Sequence, residues 1–335
     1  MALDHSIRDR LTLPAICAPM FMVTGPELVA AACKAGVMGG LPRQNARTYE
    51  EFEGWLSWIR DELDRHAQAN PGARIAPVAV NISRQTDPAE FQAYLDLCLA
   101  HGVEIFITAA GDPTETVRHI HDYGGKVYHD VTSMRFAEKA IAAGCDGLTC
   151  IGAGGGGHSG TISHLAFVPQ VRAIFDGTIV LAGAVSTGAV VRAAEILGAD
   201  LAYLGTRFIA TQEANAPQAY KDLLVSQTSG GLKYTPEVAG VAANWIVESL
   251  RGAGLDPDAL PQPLGRGMRH DHLPAGAKPW VNLWSAGQGI DLITDIPPVA
   301  ELVSRLRREY IAACQTASME QAAVLAEQAL EAARL

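Results

Sequence analysis

Along the chain, short uninterrupted apolar runs alternate with longer stretches of helical period. The runs lie at 14–18 (PAICA), 37–40 (VMGG), 75–81 (IAPVAVN), 103–110 (VEIFITAA), 126–131 (KVYHDV), 147–151 (GLTCI), 178–183 (TIVLAG) and 201–205 (LAYLG). Their cores show no apolar–polar alternation, as expected for strands covered on both faces. Between them, PELVAAACKAG, AEFQAYLDLCLAHG, SMRFAEKAIAAG and TGAVVRAAEILG read as helices. A weak repeat links the two kinds of segment: KAGVMGG, AHGVEIF, YGGKVYH, AAGCDGLTC and LGADLAYLG each end a helix at glycine and then start a strand. Eight such units over residues 14–226 predict an α/β fold, a closed parallel (β/α)8 TIM barrel. A doubly wound open sheet is the alternative.

After residue 226 the pattern changes. Residues 228–290 are rich in Gly, Pro, His and Trp and contain DPDALPQPLGRGMRHDHLPAGAKPW. So long an irregular segment predicts a cap over a site. PPVAELVSRLRREYIAAC (297–314) and MEQAAVLAEQALEAARL (319–335) then read as two amphipathic helices. The expected organisation is a barrel over 1–227, with a cap segment and C-terminal helices over 228–335 packed on it.

Composition narrows the classes. With 335 residues, 48% hydrophobic and 19% charged, the chain can bury a large core. A net charge of −10 argues against nucleic acid or an anionic membrane surface as partner. The N-terminal MALDHSIRDR has no apolar leader, and the uncharged stretch before Arg172 is broken by glycines, His158, Ser163 and His164. Six scattered cysteines without CxxC pairs read as buried, reduced thiols. The expectation is a cytoplasmic protein with no membrane partner; the C-terminal helices could serve a homodimer contact.

The chemistry gathers around CIGAGGGGHSG, residues 150–160. Gly152, Gly154 and Gly157 satisfy G-x-G-x-x-G, but the run follows the sixth strand and opens no clean helix, so a dinucleotide fingerprint is a poor fit. A P-loop lacks its lysine. In a barrel, catalytic groups stand at the C-terminal ends of strands, and His158 lies just beyond one. The alternative is a flexible surface loop with a solvent-facing histidine. Strands seven and eight end at Gly183–Ala184 and Gly205–Thr206, small residues suited to a phosphate. Met20 reads as lining the site and Phe21 as barrel-end core; Trp280 and Trp284 either close an apolar pocket or pack the cap. The HIH at 119–121 reads as exposed imidazoles, RHDH at 269–272 lacks a matched third metal ligand, and no G-x-S-x-G elbow is present.

These motifs together resemble the nitronate monooxygenase (2-nitropropane dioxygenase-like) flavoproteins. The resemblance runs through APM at Ala18–Met20, VN at Val80–Asn81, VYHDVTS at Val127–Ser133, GAGGGGHSG, LAGAVSTG, GTRFIATQEA at Gly205–Ala214 and WSAGQG at Trp284–Gly289. It implies an FMN-binding barrel. Gly183, Ala184, Gly205 and Thr206 would hold the FMN phosphate. Ala18, Pro19, Met20, Asn81, His129 and Gln288 would lie around the ring and ribityl chain, and Gly157 would give the cofactor bare backbone. His158 would be the active-site base or anion-holding group. The chain departs from the pattern at Ala184, Thr187 and Gly154, and at Asp130, where a subgroup carries lysine. A carboxylate there would oppose an anionic reduced flavin.

The implied reaction is oxidation of alkyl nitronates, or nitroalkanes, with O2 to a carbonyl compound and nitrite. An NAD(P)H-dependent reductase acting on quinones or enoyl thioesters is the first alternative; a flavin-free phosphate-binding barrel lyase or isomerase is the second.

Overall fold

Eight parallel strands close into a barrel in chain order: β1 (Ala15–Cys17), β2 (Met38–Pro42), β3 (Val78–Asn81), β4 (Ile105–Thr108), β5 (Lys126–Val131), β6 (Gly147–Ile151), β7 (Thr178–Ala182) and β8 (Leu201–Leu204). The computed structural model describes residues 3–82, 87–263, 265, 267–315, 324, 326–328 and 331. Closure runs through β1 and β8, with Ile16 beside Tyr203 and Cys17 beside Leu204. The open-sheet alternative is thereby removed.

The five repeated glycines do what the pattern required. Gly36, Gly102, Gly124, Gly144 and Gly198 all take positive φ, from 71° to 104°, directly after a helix. A residue with a Cβ would pay about 1 kcal/mol or more in that region.

Alternate strand residues face two different cores. Ile16, Met38, Ala79, Ile105, Ile107, Tyr128, Val180 and Leu201 fill the barrel, and Leu3, Ile7 and Leu11 join them. Their strand neighbours Cys17, Leu41, Val80, Phe106, Val127, Val131, Leu148, Cys150 and Ala202 pack outward into the layer under the helices. Gly147 has the inward parity, and a Cβ there would overlap the ring of its in-register neighbour Tyr128, so the position takes glycine.

The helix Val299–Gln315 lies against the helix Gly188–Ile196. At their crossing Gly188 N–H donates to Glu309 Oε2 at 2.7 Å, and a Cβ on Gly188 would overlap the Leu306 carbonyl oxygen. Backbone cannot yield as a side-chain tip can. Gly188→Ala is therefore expected to destabilise the fold by about 1–3 kcal/mol, read as a lower midpoint in urea denaturation at unchanged slope.

The cap region departs from its expected irregularity. It contains an antiparallel hairpin of β9 (Leu232–Thr235) and β10 (Ala243–Ile246), followed by the helix Val247–Gly252. Its own apolar cluster includes Val238, Ala243, Trp245, Leu250 and Leu283. The expected second C-terminal helix, 319–335, lies mostly outside the described residues. Five cysteines are buried, as expected, whereas Cys314 is exposed. Phe21 also differs from expectation: it is 44% exposed and belongs to no core. Among the described residues no helix is long and apolar enough to cross a membrane.

Candidate active site

The glycine run leaves β6 at the C-terminal mouth of the barrel and is gripped along its length. Gly154 O accepts from Gln288 N–H at 2.9 Å, and Gly155 O accepts from Asn244 Nδ2 at 2.7 Å. His158 pairs with Ala243 of β10 as an isolated antiparallel bridge. Ser159 N–H donates to Ala242 O at 3.3 Å, and the Tyr234 hydroxyl donates to Ser159 O at 2.8 Å. The cap hairpin thus holds the end of the loop.

Most of the glycines answer to the protein's own packing. A Cβ at Gly152 would fall 2.6 Å from the His164 ring, and one at Gly155 would fall 2.9 Å from Ser159 Cβ. At Gly156 it would meet Gly287 N at 2.8 Å and Thr206 Oγ1 at 3.1 Å. Gly154 has φ 92° and sits against Gln288 Oε1 and the Ala184 methyl. Gly157 differs from these four, because nothing lies within 4 Å of its Cβ position.

The turns after β7 and β8 come together with this loop. Gly183 (φ 119°) and Ala184 (φ 57°) form a left-handed pair, so Ala184 adopts the conformation that a second glycine would take without strain. Gly287 N–H donates to Thr206 Oγ1 at 2.9 Å, and Gly289 packs on Ser186 and the Ala184 carbonyl. The segment 286–289 therefore straps both turns to the glycine run. Arg207 anchors the base of this strap: it is buried, and its Nη2 donates to Ala210 O and Asp295 O, each at 3.1 Å. A Cβ on Gly205 would make ordinary van der Waals contact with Met20 Sδ and the Ala18 methyl, at 3.6 and 3.9 Å. Pro19 closes on Gly40 of β2, where a Cβ would meet Pro19 Cδ at 2.6 Å.

His158 is half-buried, and its ring meets Trp280 edge-on, centroids 5.2 Å apart at 89°. Trp280 leans in turn on Trp245 at 5.1 Å and holds a φ of 60°, a strained conformation for so bulky a residue. Nε2 of His158 is shut from solvent without a partner, and burial lowers the imidazole pKa below its usual 6.5. The two tryptophans divide the expected roles. Trp280 faces His158, whereas Trp284 stacks on Tyr220 at 5.1 Å and packs the cap onto the helix Gln218–Ser226.

Strand parity shows which residues form the floor. Asn81, Asp130, Ile151 and Tyr203 share the inward parity of the barrel core but are only half-buried. An inward residue of a filled barrel reaches solvent only through the mouth. Asn81 Nδ2 donates to Ile107 O at 3.1 Å, and its Oδ1 accepts from Gln44 Nε2 at 3.1 Å. His129 has the opposite parity. It lies in register with Thr108 of β4, and its Nδ1 meets Thr108 Oγ1 at 2.8 Å on the outer face. The structure therefore does not bring the His129 ring to the floor; the side chain that stands there is Asp130.

The remaining histidine motifs are held by local partners. In the helix Thr114–Asp122, His119 Nδ1 meets Glu115 O at 2.8 Å and His121 Nε2 meets Asp146 Oδ2 at 2.8 Å. In the cap, His272 Nε2 meets Glu237 O at 2.6 Å.

The profile of the nitronate monooxygenase family matches residues 8–309. The chain belongs to that family. It is 27% identical to the nitronate monooxygenase of Paraburkholderia phytofirmans over 88% of this chain and 92% of that one. Two solved structures share the fold. One comes from a study of nitroalkane oxidase from Streptomyces ansochromogenes (TM-score 0.72, 24% identity, 93% and 100% of the two chains). The other is FabK from Thermotoga maritima (TM-score 0.71, 22% identity, 93% and 98%). The chain is thus an oxidoreductase of the nitronate monooxygenase family, whose members are flavoproteins.

The mouth suits such a cofactor. Among the described residues, Asp130 Oδ1, His158 Nε2 and Ser159 Oγ are buried side-chain polar atoms without partners. All lie on β5 or on the segment after β6, where a polar heterocycle would supply the missing contacts. Asp130 and Tyr203 were not expected to contribute here, whereas Trp280 takes the pocket-closing role that was one of its two readings. Only Asp130 carried a signal in the sequence, as a departure from the family pattern.

Proposed function

We propose that this enzyme binds FMN and oxidises alkyl nitronates, or their parent nitroalkanes, with O2 to a carbonyl compound and nitrite. The observation that carries the reading is the unpartnered Nε2 of His158, set beside an aromatic wall at the mouth of a flavin-family barrel. Gly183, Ala184, Gly205 and Thr206 would hold the phosphate; Ala18, Met20, Asn81, Gly157 and Gln288 would border the ring and ribityl chain. Bound FMN would supply the electron acceptor and deliver electrons to O2. His158 does the proton work. Because burial keeps its imidazole neutral at neutral pH, Nε2 can accept the α-proton of a nitroalkane when Nδ1 carries the ring hydrogen. Trp280 restricts the ring's motion and excludes water on one side.

The test is a visible spectrum of FMN-loaded protein under anaerobic conditions. Added nitronate is expected to bleach the flavin, and NADH or NADPH to leave it oxidised; in air, nitrite should accumulate. Bleaching by a nicotinamide nucleotide without nitronate turnover would replace this reading with the reductase. For neutral nitroalkanes kcat/KM should be flat above neutral pH. It should fall on the acid side, with a midpoint below 6.5, because a lowered pKa keeps the base form available to lower pH.

A further inference from the structure

We infer that Asp130 is a proton-holding group beneath the flavin, and that its ionisation sets how the reduction potential of the bound cofactor changes with pH. The inference rests on the flavin reading above and adds a role for a residue of the barrel floor.

The geometry begins with strand parity. Tyr128 and Asp130 point into the barrel, while Val127, His129 and Val131 point out. Tyr128 is fully enclosed in the packed interior; Asp130, one layer nearer the mouth, is only half-buried. Its Oδ1 is nevertheless shut from solvent with no hydrogen-bond partner. A carboxyl oxygen left this way at the mouth of a cofactor barrel is placed to exchange a hydrogen bond with whatever closes that mouth.

Its surroundings make the charge costly. From β6 the in-register Thr149 hydroxyl acts on it, and from β8 the Tyr203 phenol faces it. From β4 the inward side chains are Ile105 and Ile107. Tyr203 stays neutral, its pKa raised by burial and then by Asp130, and the Cys17 thiol behind it is raised as well. Among the described residues no cation acts on the carboxyl. Burial pushes it up to about 7, against the weaker opposing pull of Thr149.

A carboxyl that titrates near neutrality couples to charge placed above it. Two electrons and one proton added to the flavin ring leave one extra negative charge there. If Asp130 is ionised, a second proton taken from solvent onto its carboxylate cancels that charge. If Asp130 is already protonated, no second proton is needed. The added negative charge raises the carboxyl's pKa. Between its pKa beside oxidised flavin and its higher pKa beside reduced flavin, reduction consumes one more proton, and only there does the potential fall more steeply as pH rises.

The experiment is a redox titration of FMN-loaded protein with dithionite, from about pH 5 to about pH 9, on the natural chain and on Asp130→Asn. In the natural protein the equilibrium for reduction is expected to fall an additional tenfold per pH unit across the carboxyl's titration, about 30 mV for a two-electron couple. Asp130→Asn should lack that segment and hold a higher potential at the alkaline end. The flavin's own ionisations appear in both proteins, so equal slopes would overturn the inference. A measurement on the unaltered chain guards against a variant that fails to fold. Its reduced-minus-oxidised infrared spectrum should gain a carboxylic-acid C=O band that shifts in heavy water, and absence of that band also overturns the inference. If flavin binds and the slopes agree, only the role of Asp130 fails. If no flavin binds, the proposed function fails with it.

Discussion

Replacing His158 with alanine is expected to leave FMN bound and to cut turnover of neutral nitroalkanes by about 10²–10⁴-fold, the usual loss when a positioned general base is removed. Retention of the cofactor follows from how the loop is held. The bridge to Ala243 and the Ser159 N–H bond to Ala242 O use backbone atoms, so the loop keeps its path without the imidazole. The only aromatic contact of the ring among the described residues is with Trp280, which keeps its own support on Trp245. Pre-formed nitronate needs no proton removed. If His158 acts as base, anaerobic bleaching by nitronate should survive the substitution far better than bleaching by the nitroalkane. If its task is to hold the anion, both rates should fall together. Unchanged turnover of both would remove His158 from the mechanism.

Gly156→Ala should weaken FMN binding by about one to two orders of magnitude while the barrel stays folded. The added methyl would lie 2.8 Å from Gly287 N, 3.0 Å from the Ala286 carbonyl carbon and 3.1 Å from Thr206 Oγ1. Two of those atoms are backbone, and the third accepts the Gly287 N–H bond. Relief requires the strap 286–289 to move off the turns it ties together. An overpacking cost of about 1–3 kcal/mol, expressed at the site, corresponds to roughly 5–150-fold in affinity. Fluorescence titration of the apoprotein with FMN measures it, with far-ultraviolet circular dichroism to confirm the fold. Gly54→Ala, in the exposed face of the helix Tyr49–Ala69, is the control, since its Cβ position is free of protein atoms and lies outside the site. Unchanged affinity in Gly156→Ala would show that packing at Gly156 does not serve the site.

Much of the barrel was legible because each strand is buried on both faces and each helix ends at a glycine. KVYHDV and GLTCI coincide with β5 and β6 residue for residue. The same property hid which side chains face the mouth. An unalternated run such as KVYHDV carries no parity signal, so His129 and Asp130 could be told apart only through register with Thr108 and Thr149. The β9–β10 hairpin escaped notice because Pro236 and Gly240 interrupt LKYTPEVAGVAANWI, and its outer partner is the distant loop at His158. The glycine run itself was legible as a close approach. Its main partners are chain segments far away in sequence, which no local pattern announces.

The shared hydrogen bonds between the cap hairpin and the His158 loop bear on how a molecule enters. A cap attached only by side chains could swing aside and leave the loop intact. Here Asn244 grips Gly155, and the backbone of residues 242–243 grips that of residues 158–159. Wide gaping would therefore dislodge the imidazole it is meant to serve. Admission and readiness become one thermodynamic event: compact molecules that pass by rotation of side chains meet an armed site, whereas bulky ones must disarm it to get in. The amide protons of 158–159 and 242–245 should accordingly exchange with solvent as one cooperative unit.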